Sequence, residues 1–293
     1  MKLLNIELSM INKVGIYEKA INNKFSIEQK IDIAKSAGYD FIEFSIDESD
    51  ERFKRLDWDY EKLTSVKKIL LDKNFEFNSM TLSTHRKYPF GSNDKKIRDK
   101  AKYIIENAIR VAKVLGIKII QLATYDIYYE NPHPDSLKYF LQGIKYASEL
   151  AKKESIILAF ETMDTHFGST VTRCLNIIKS VNNPPFLYVY PDLGNLNQFS
   201  NDVETEIKYG ANHIVAYHVK DTKPGIFRDI EFGQGTVDFV KSFKIIQETK
   251  FTGPFLIEMW SKNNENETLS EAINKIKSAK QFFLDKWNEA KSA

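Results

Sequence analysis

The chain has 293 residues, 42% of them hydrophobic, with 42 basic side chains against 40 acidic ones and a net charge of +2. That length and apolar content fill one large core or two modest ones. Near-balanced charge with scattered lysines excludes the clustered basic surface of a nucleic-acid binder. No apolar run reaches the roughly 18 residues of a membrane span. The opening MKLLNIELSMINKVGIY places acidic and polar residues where a signal peptide keeps an unbroken apolar stretch. The single Cys174 excludes an intramolecular disulfide and fits a reducing compartment. The expectation is a soluble, cytoplasmic protein with no nucleic-acid and no membrane partner.

Strand-like and helix-like segments then alternate along the whole chain. The first strand is expected over 14–17, followed by a helix over 26–37 with Ser26 as N-cap and Gly38 just past its end. A strand over 39–45 leads to a helix over 60–73, and a strand over 75–83 leads through the loop THRKYPFGSN to a helix over 94–115, stopped by Gly116. The fourth pair is a strand over 118–123 and a helix over 135–153, joined by the aromatic loop TYDIYYENPHP. Strand five is expected over 156–161 with a helix over 169–181. Pro184-Pro185 breaks the chain before strand six, 187–192, and a short helix over 202–209. Strand seven (213–218) precedes a helix over 238–249, and strand eight (255–258) precedes the last helix, 270–289. Eight strand–helix pairs whose strands are apolar on both faces predict an α/β fold, a (β/α)8 TIM barrel, with residues 1–293 forming one domain. No linker or low-complexity tract interrupts it, and only residues 291–293 are expected to fray.

Four polar residues each end one of these apolar runs: Glu161 in IILAFE, Asp192 in LYVYPD, His218 in HIVAYH and Glu258 in PFLIE. Their spacings of 31, 26 and 40 residues are close to one strand-plus-helix unit. In a parallel barrel, such positions converge on the C-terminal face, where TIM-barrel active sites lie. Alone, each carboxylate is equally well explained as a cap of the next helix or as a solvated side chain; together, three carboxylates and an imidazole form a donor set for Mn²⁺, Mg²⁺ or Zn²⁺. His213 opens its strand and is assigned to the opposite end. His133 is expected in solvent, and His166 is ambiguous. A metal ion between Glu161 and Glu258 would polarise the carbonyl of a hydroxyketone and acidify the adjacent C–H. One glutamate would remove that proton and the other would return one to the opposite face, inverting the centre. Neither GxGxxG nor GxxxxGK[ST] occurs, consistent with chemistry that needs no nucleotide cofactor.

The segments GIYEKA (15–20), FSIDESDERFKRLDW (44–58), LSTHRKYPFGS (82–92), IIQLATYDIYY (119–129), YPDLGNL (190–196), HIVAYHVKDTKPGIF (213–227), FGQGTVDF (232–239) and GPFLIEMW (253–260) resemble the L-ribulose-5-phosphate 3-epimerases. These are also called L-xylulose-5-phosphate 3-epimerases and belong to the xylose-isomerase-like barrel superfamily. The resemblance spans nearly the whole chain. It implies an isomerase that interconverts L-xylulose 5-phosphate and L-ribulose 5-phosphate during L-ascorbate utilisation, with Glu161, Asp192, His218 and Glu258 as metal ligands and the two glutamates as acid and base. It is compatible with a homodimer. Epimerases of unphosphorylated ketoses share the same quartet, so such a substrate stays open, as do a hexulose phosphate and an aldose–ketose isomerisation. A metal-dependent endonuclease of the same barrel shape and a non-catalytic sugar-binding barrel are the readings from other classes.

A phosphate calls for cations, backbone N–H groups and a helix N-terminus. Lys19 after strand one, with Ser92 and Arg98 at the start of the third long helix, forms one candidate set. Lys220, Lys223 and Arg228 after strand seven form another, expected to meet substrate hydroxyls. His85 and Arg86 after strand three are candidates for substrate contact, and Glu43 is expected only to pair with a nearby cation.

Overall fold

Short runs rich in Ile, Val, Phe and Tyr become eight parallel strands, as such residues do when both faces of a sheet are covered. The computed structural model describes residues 12–200 and 202–292; the opening residues read above for a leader and Ala293 lie outside them. In chain order the elements are β1 (Val14–Tyr17), α1 (Ile27–Ser36), β2 (Phe41–Ile46), α2 (Asp50–Phe53), α3 (Tyr60–Asp72), β3 (Glu76–Leu82), α4 (Lys95–Leu115), β4 (Ile119–Ala123) and α5 (Ser136–Glu154). They continue with β5 (Ile157–Glu161), α6 (Val171–Ser180), β6 (Leu187–Tyr190), α7 (Leu193–Phe199), α8 (Val203–Gly210), β7 (Tyr217–Val219), α9 (Phe239–Glu248), β8 (Phe255–Ile257) and α10 (Leu269–Ser292). The strand order β6-β5-β4-β3-β2-β1-β8-β7 is that of a barrel opened at one seam. The seam between β6 and β7 is crossed only by single parallel bridges, Val189 with Ile214 and Asp192 with His218. The expected (β/α)8 architecture is therefore the observed one.

Local signals set most boundaries. Ser26 caps α1 through a complete capping box with Gln29, and Gly116 ends α4 in the left-handed region at φ 82°. The main departure is strand seven. Residues 211–213, expected to lead into or open that strand, form a 3-10 turn, and the strand itself is only Tyr217–Val219. Pro191 has no N–H to donate to the facing strand, so the ladder there cannot be continuous; its carbonyl instead accepts from the His218 N–H at 2.9 Å. The short helices α2 and α7 were not expected. Each lies within a βα connection too brief to show an apolar period.

Two of the three buried clusters among the described residues build the core; the third, Ala123, Tyr125 and Met163, is small. The larger fills the space between the strands and the helix ring. The smaller joins Tyr17, Phe41, Ile119, Ala159, Tyr190 and Leu256 from six strands around the barrel, and so fills its lumen. Gly15 is required here, because a Cβ would lie 2.2 Å from the Phe41 ring.

Just beyond β1, Glu18 is buried with Arg55 and Lys30. Its carboxylate accepts two hydrogen bonds from Arg55 (2.6 and 2.8 Å), one from Lys30 (3.0 Å) and one from the Ser45 N–H (2.9 Å). Burial opposes its charge, but Arg55 and Lys30 outweigh burial and hold the carboxyl well below its ordinary range. This network fixes the turn that carries Lys19. Replacing Glu18 by Gln leaves two buried cations without an anion, and we expect a loss of about 3–5 kcal/mol in urea denaturation at neutral pH. The contribution is full above the unfolded-state carboxyl value of about 4.3. It shrinks as pH falls from there toward the lower folded-state value, because only the unfolded chain takes up the proton. The E18Q variant should therefore lose part of the wild type's acid sensitivity; an unchanged stability–pH curve contradicts this account.

Candidate active site

Glu161 is the last residue of β5 and Glu258 the first after β8; Asp192 follows β6 by two residues, and His218 is the middle residue of β7. The barrel brings them together: one donor atom from each lies within 4.8 Å of all the others, and all four residues are buried. Three of them are held by an interaction from outside the cluster. Asp192 accepts the Asn195 N–H on Oδ1 (2.7 Å), capping α7 and leaving Oδ2 toward the cluster. One oxygen thus caps the helix, and the other is left facing the cluster. Glu161 accepts from the Gln121 amide on Oε2 and points Oε1 at His218 Nδ1, 2.8 Å away. Glu258 Oε2 lies 3.2 Å from the same nitrogen.

The other imidazole nitrogen, Nε2, is 2.9 Å from Glu43 Oε2. Glu43 itself is fully buried and accepts from Ser79 (2.7 Å), Thr81 (2.5 Å) and Tyr190 (3.2 Å). A carboxylate so engaged takes the Nε2 proton's hydrogen bond and turns Nδ1 toward the three acids, the arrangement typical of a metal-binding histidine. Glu43 thus pairs with a histidine in the site, where the sequence offered only an unspecified cation.

The cluster is short of positive charge. Burial pushes the carboxyls of Asp192 and Glu161 above their ordinary values. Burial also opposes a charge on His218, but Glu43 and Glu161 outweigh it and hold its proton well above the ordinary value. Glu258 is pulled the other way: burial disfavours its charge, while Lys220 and His218 keep it below the carboxylate range. Lys220 Nζ lies 3.1 Å from Asp192 Oδ2 and 3.6 Å from Glu258 Oε2. Those same two oxygens are buried without a hydrogen-bond donor. Orphaned carboxylate oxygens around an imidazole nitrogen that becomes a donor on giving up its proton, spanning little more than donors about 2.1 Å from one ion would, fit a divalent cation.

A cavity open to solvent lies over this cluster. Lys19, Arg86, Lys220 and Arg228 supply its cations, and Tyr17, Phe227 and Trp260 its aromatic walls. Sequence reasoning had placed those four cations near the mouth. It missed the aromatic walls and the polar Asp164 and Asn195, since nothing in their loops has a period or motif. The structure places three of the expected contact residues away from this cavity. His85 is buried beneath the loop, its Nε2 3.1 Å from the Ala101 carbonyl and its ring against Phe90; burial lowers its pKa to about 4. Ser92 is buried and donates to Glu130 (2.9 Å) while accepting from the Asp94 N–H (3.0 Å). Arg98 donates to the carbonyls of Ser92 and Asn93 and lies over the Tyr139 ring. None of the three lines the cavity. His166 also stays off its wall, against Phe199.

The description of the xylose isomerase-like TIM barrel family matches residues 31–279. A probable L-ribulose-5-phosphate 3-epimerase of Mycoplasma pneumoniae is 46% identical over 277 residues, covering 94% of this chain and 90% of the relative. An L-ribulose-5-phosphate 3-epimerase of Shigella boydii is 41% identical over 253 residues, covering 86% and 89%. Among solved structures, a D-psicose 3-epimerase matches with a TM-score of 0.79 at 15% identity, covering 94% of this chain and 99% of that one. An L-ribulose 3-epimerase matches with a TM-score of 0.77 at 18% identity, covering 96% of each. At those identities the solved structures show the shared fold, whereas the relatives above 40% show the lineage. The chain belongs to the xylose isomerase-like TIM barrel family and, within it, to the L-ribulose-5-phosphate 3-epimerases, a group of isomerase-class enzymes.

Proposed function

We propose that the chain inverts C3 of a ketopentose 5-phosphate, interconverting L-xylulose 5-phosphate and L-ribulose 5-phosphate. Glu161 and Glu258 act as the two proton-transfer groups, and Glu161, Asp192, His218 and Glu258 hold one divalent metal ion. The observation that carries the reading is the convergence of Glu161 and Glu258, from β5 and β8, on the same imidazole nitrogen at the cavity floor. The names of relatives above 40% identity support the substrate. A cytoplasmic role in L-ascorbate breakdown goes with this proposal and is supported by the motif resemblance.

When bound, a divalent ion supplies Lewis acidity toward a carbonyl and its neighbouring hydroxyl, which makes the C–H between them removable. The protein's part is positional. One glutamate accepts the C3 proton, and its partner, reaching the cavity from another strand, delivers a proton to the opposite face. Gln121 fixes one Glu161 oxygen and leaves the other for the site. Glu43 holds His218 with Nδ1 facing inward. Lys220 places a buried ammonium beside Asp192 and Glu258, where it favours negative charge developing on a substrate oxygen.

Glu161→Gln and Glu258→Gln should each cut exchange of the C3 hydrogen with D₂O, followed by NMR, by at least about 100-fold; retained exchange in either variant removes the two-base scheme. Chelation should abolish turnover and added Mn²⁺, Zn²⁺ or Mg²⁺ restore it. Glu43→Gln leaves every proposed ligand in place, yet it should weaken metal affinity roughly 10- to 100-fold in direct titration. An unchanged affinity would show that Glu43 does not orient His218.

A further inference from the structure

The cavity over the cluster holds only about 50 Å³ of free space. That is room for a few waters, whereas sites for small organic ligands run to about 300–1,000 Å³. A ketopentose phosphate therefore enters only if a wall moves. Most of the wall is buried, and its half-buried Lys19 and Asp164 are held by Asp47 and Tyr125. Among the described residues, Arg228 is the one exposed member of the lining. It sits in a strap after β7 that is fastened at its ends and loose in its middle. At the ends, the Asp221 carboxylate accepts the Gly233 and Gly235 N–H groups, and the Thr236 N–H donates to the Thr222 carbonyl at 2.8 Å. In the middle, none of Phe227, Arg228, Asp229 and Ile230 makes a hydrogen bond to another described residue. A Cβ at the neighbouring Gly225 would meet nothing within 4 Å. Phe227 rests only on the Phe199 ring, with the centroids 5.8 Å apart.

Behind the strap lies a second cavity, of about 460 Å³, between the strap's far half and α10. Ile230 and Phe232 line one side of it, and Ser278, Ala279 and Phe282 the other. Trp260 lines both cavities and so stands as the partition between them, with the Arg228 guanidinium 5.9 Å from its ring centroid. We propose that residues 223–232 are a gate. Held at the ends fastened by Asp221 and Thr222, the middle of the strap swings from the mouth of the site into the crevice against α10, admits the sugar phosphate, and swings back over it. The proposal rests on the epimerase reading above for the size of what must pass. A segment with no hydrogen bonds of its own gives up little on leaving its place. The apolar crevice covers the Phe227 ring in exchange for Phe199, so opening exposes little new apolar surface. Asp221 is then a positioning residue, which returns Phe227 and Arg228 to the same place after each opening. Closure also serves the two-base scheme, because a carbon that has lost its proton is quenched from either side by bulk water.

The test combines a filled crevice with a cross-link. Ser278 is exposed on α10 and lines the crevice, so Ser278→Trp fills the space without altering the site. In S278W, kcat/KM for the ketopentose 5-phosphate should fall at least about 10-fold, with equilibrium Mn²⁺ affinity within about 3-fold of the wild type. Separately, the double variants F227C/S278C and F227C/N288C are oxidised under mild conditions; Cys174 is buried and out of reach. Positions 227 and 278 line different cavities, so a disulfide joins them only when the strap crosses into the crevice. The first pair should link at least about 10-fold faster than the second, whose partner cysteine lies about 15 Å further along α10. Equal linking rates, or an unchanged kcat/KM in S278W, overturn the proposal. Thermal melts show whether S278W folds, and if it does not, Ser278→Phe decides. If the wild type turns over no ketose phosphate, the epimerase reading fails, while the linking rates still decide whether the strap moves.

Discussion

Three carboxylates and an imidazole buried around one point cannot all keep their usual protonation states without added positive charge. Burial drives the carboxyls of Asp192 and Glu161 toward neutrality, and the His218 proton and Lys220 ammonium supply part of what is missing. The same carboxylates that retain a proton on His218 would accept a divalent cation in its place. Much of the surrounding structure serves to hold this costly arrangement in position. Gln121 restrains Glu161, the α7 N-terminus restrains Asp192, and Glu43 restrains His218.

The barrel provides this arrangement at its weakest joint. The sheet is not continuously paired between β6 and β7, where Pro191 cannot donate, and one of the two bridges across the gap joins Asp192 to His218. A seam relieved of regular pairing lets those two residues tilt into the mouth, while the ladder from β1 to β5 runs through Glu43 and Glu161, with one register shift between Ile42 and Glu43 where β2 meets β3. Behind β7, Asp221 accepts the N–H groups of Gly233 and Gly235 at 2.9 and 2.8 Å. It thereby ties together both ends of the loop that brings Phe227 and Arg228 to the cavity. A Cβ at Gly235 would fall 1.9 Å from the Asp221 carboxylate, so only glycine permits that contact.

The eight alternating units were legible in the sequence because each strand is a short apolar run bounded by Gly, Pro or a helix cap. The four candidate ligands were legible because each stands where such a run stops. What could not be read was whatever depends on packing rather than period. Glu43 lies inside FIEFSI, an otherwise mostly apolar run, and its partner His218 is 175 residues away. Its position two residues after lumen-facing Phe41 was the available signal, since alternate strand residues share a face. His85 and Arg86 are adjacent, yet one turns under the 3-10 turn of residues 83–86 and the other faces the cavity; no propensity separates them. Ser92 and Arg98 follow a good helix-start pattern, and the structure uses both to close the helix onto its own loop.

The central claim is that Glu161, Asp192, His218 and Glu258 jointly bind one metal ion on the cavity floor. Crystals grown with Mn²⁺ and measured at wavelengths on either side of its absorption edge test this most directly. The account predicts a single anomalous peak within bonding distance of one oxygen from each of the three carboxylates and of His218 Nδ1, with Nε2 still bonded to Glu43. A peak elsewhere, or a floor in which Lys220 alone continues to neutralise Asp192 and Glu258 at saturating metal, would contradict it.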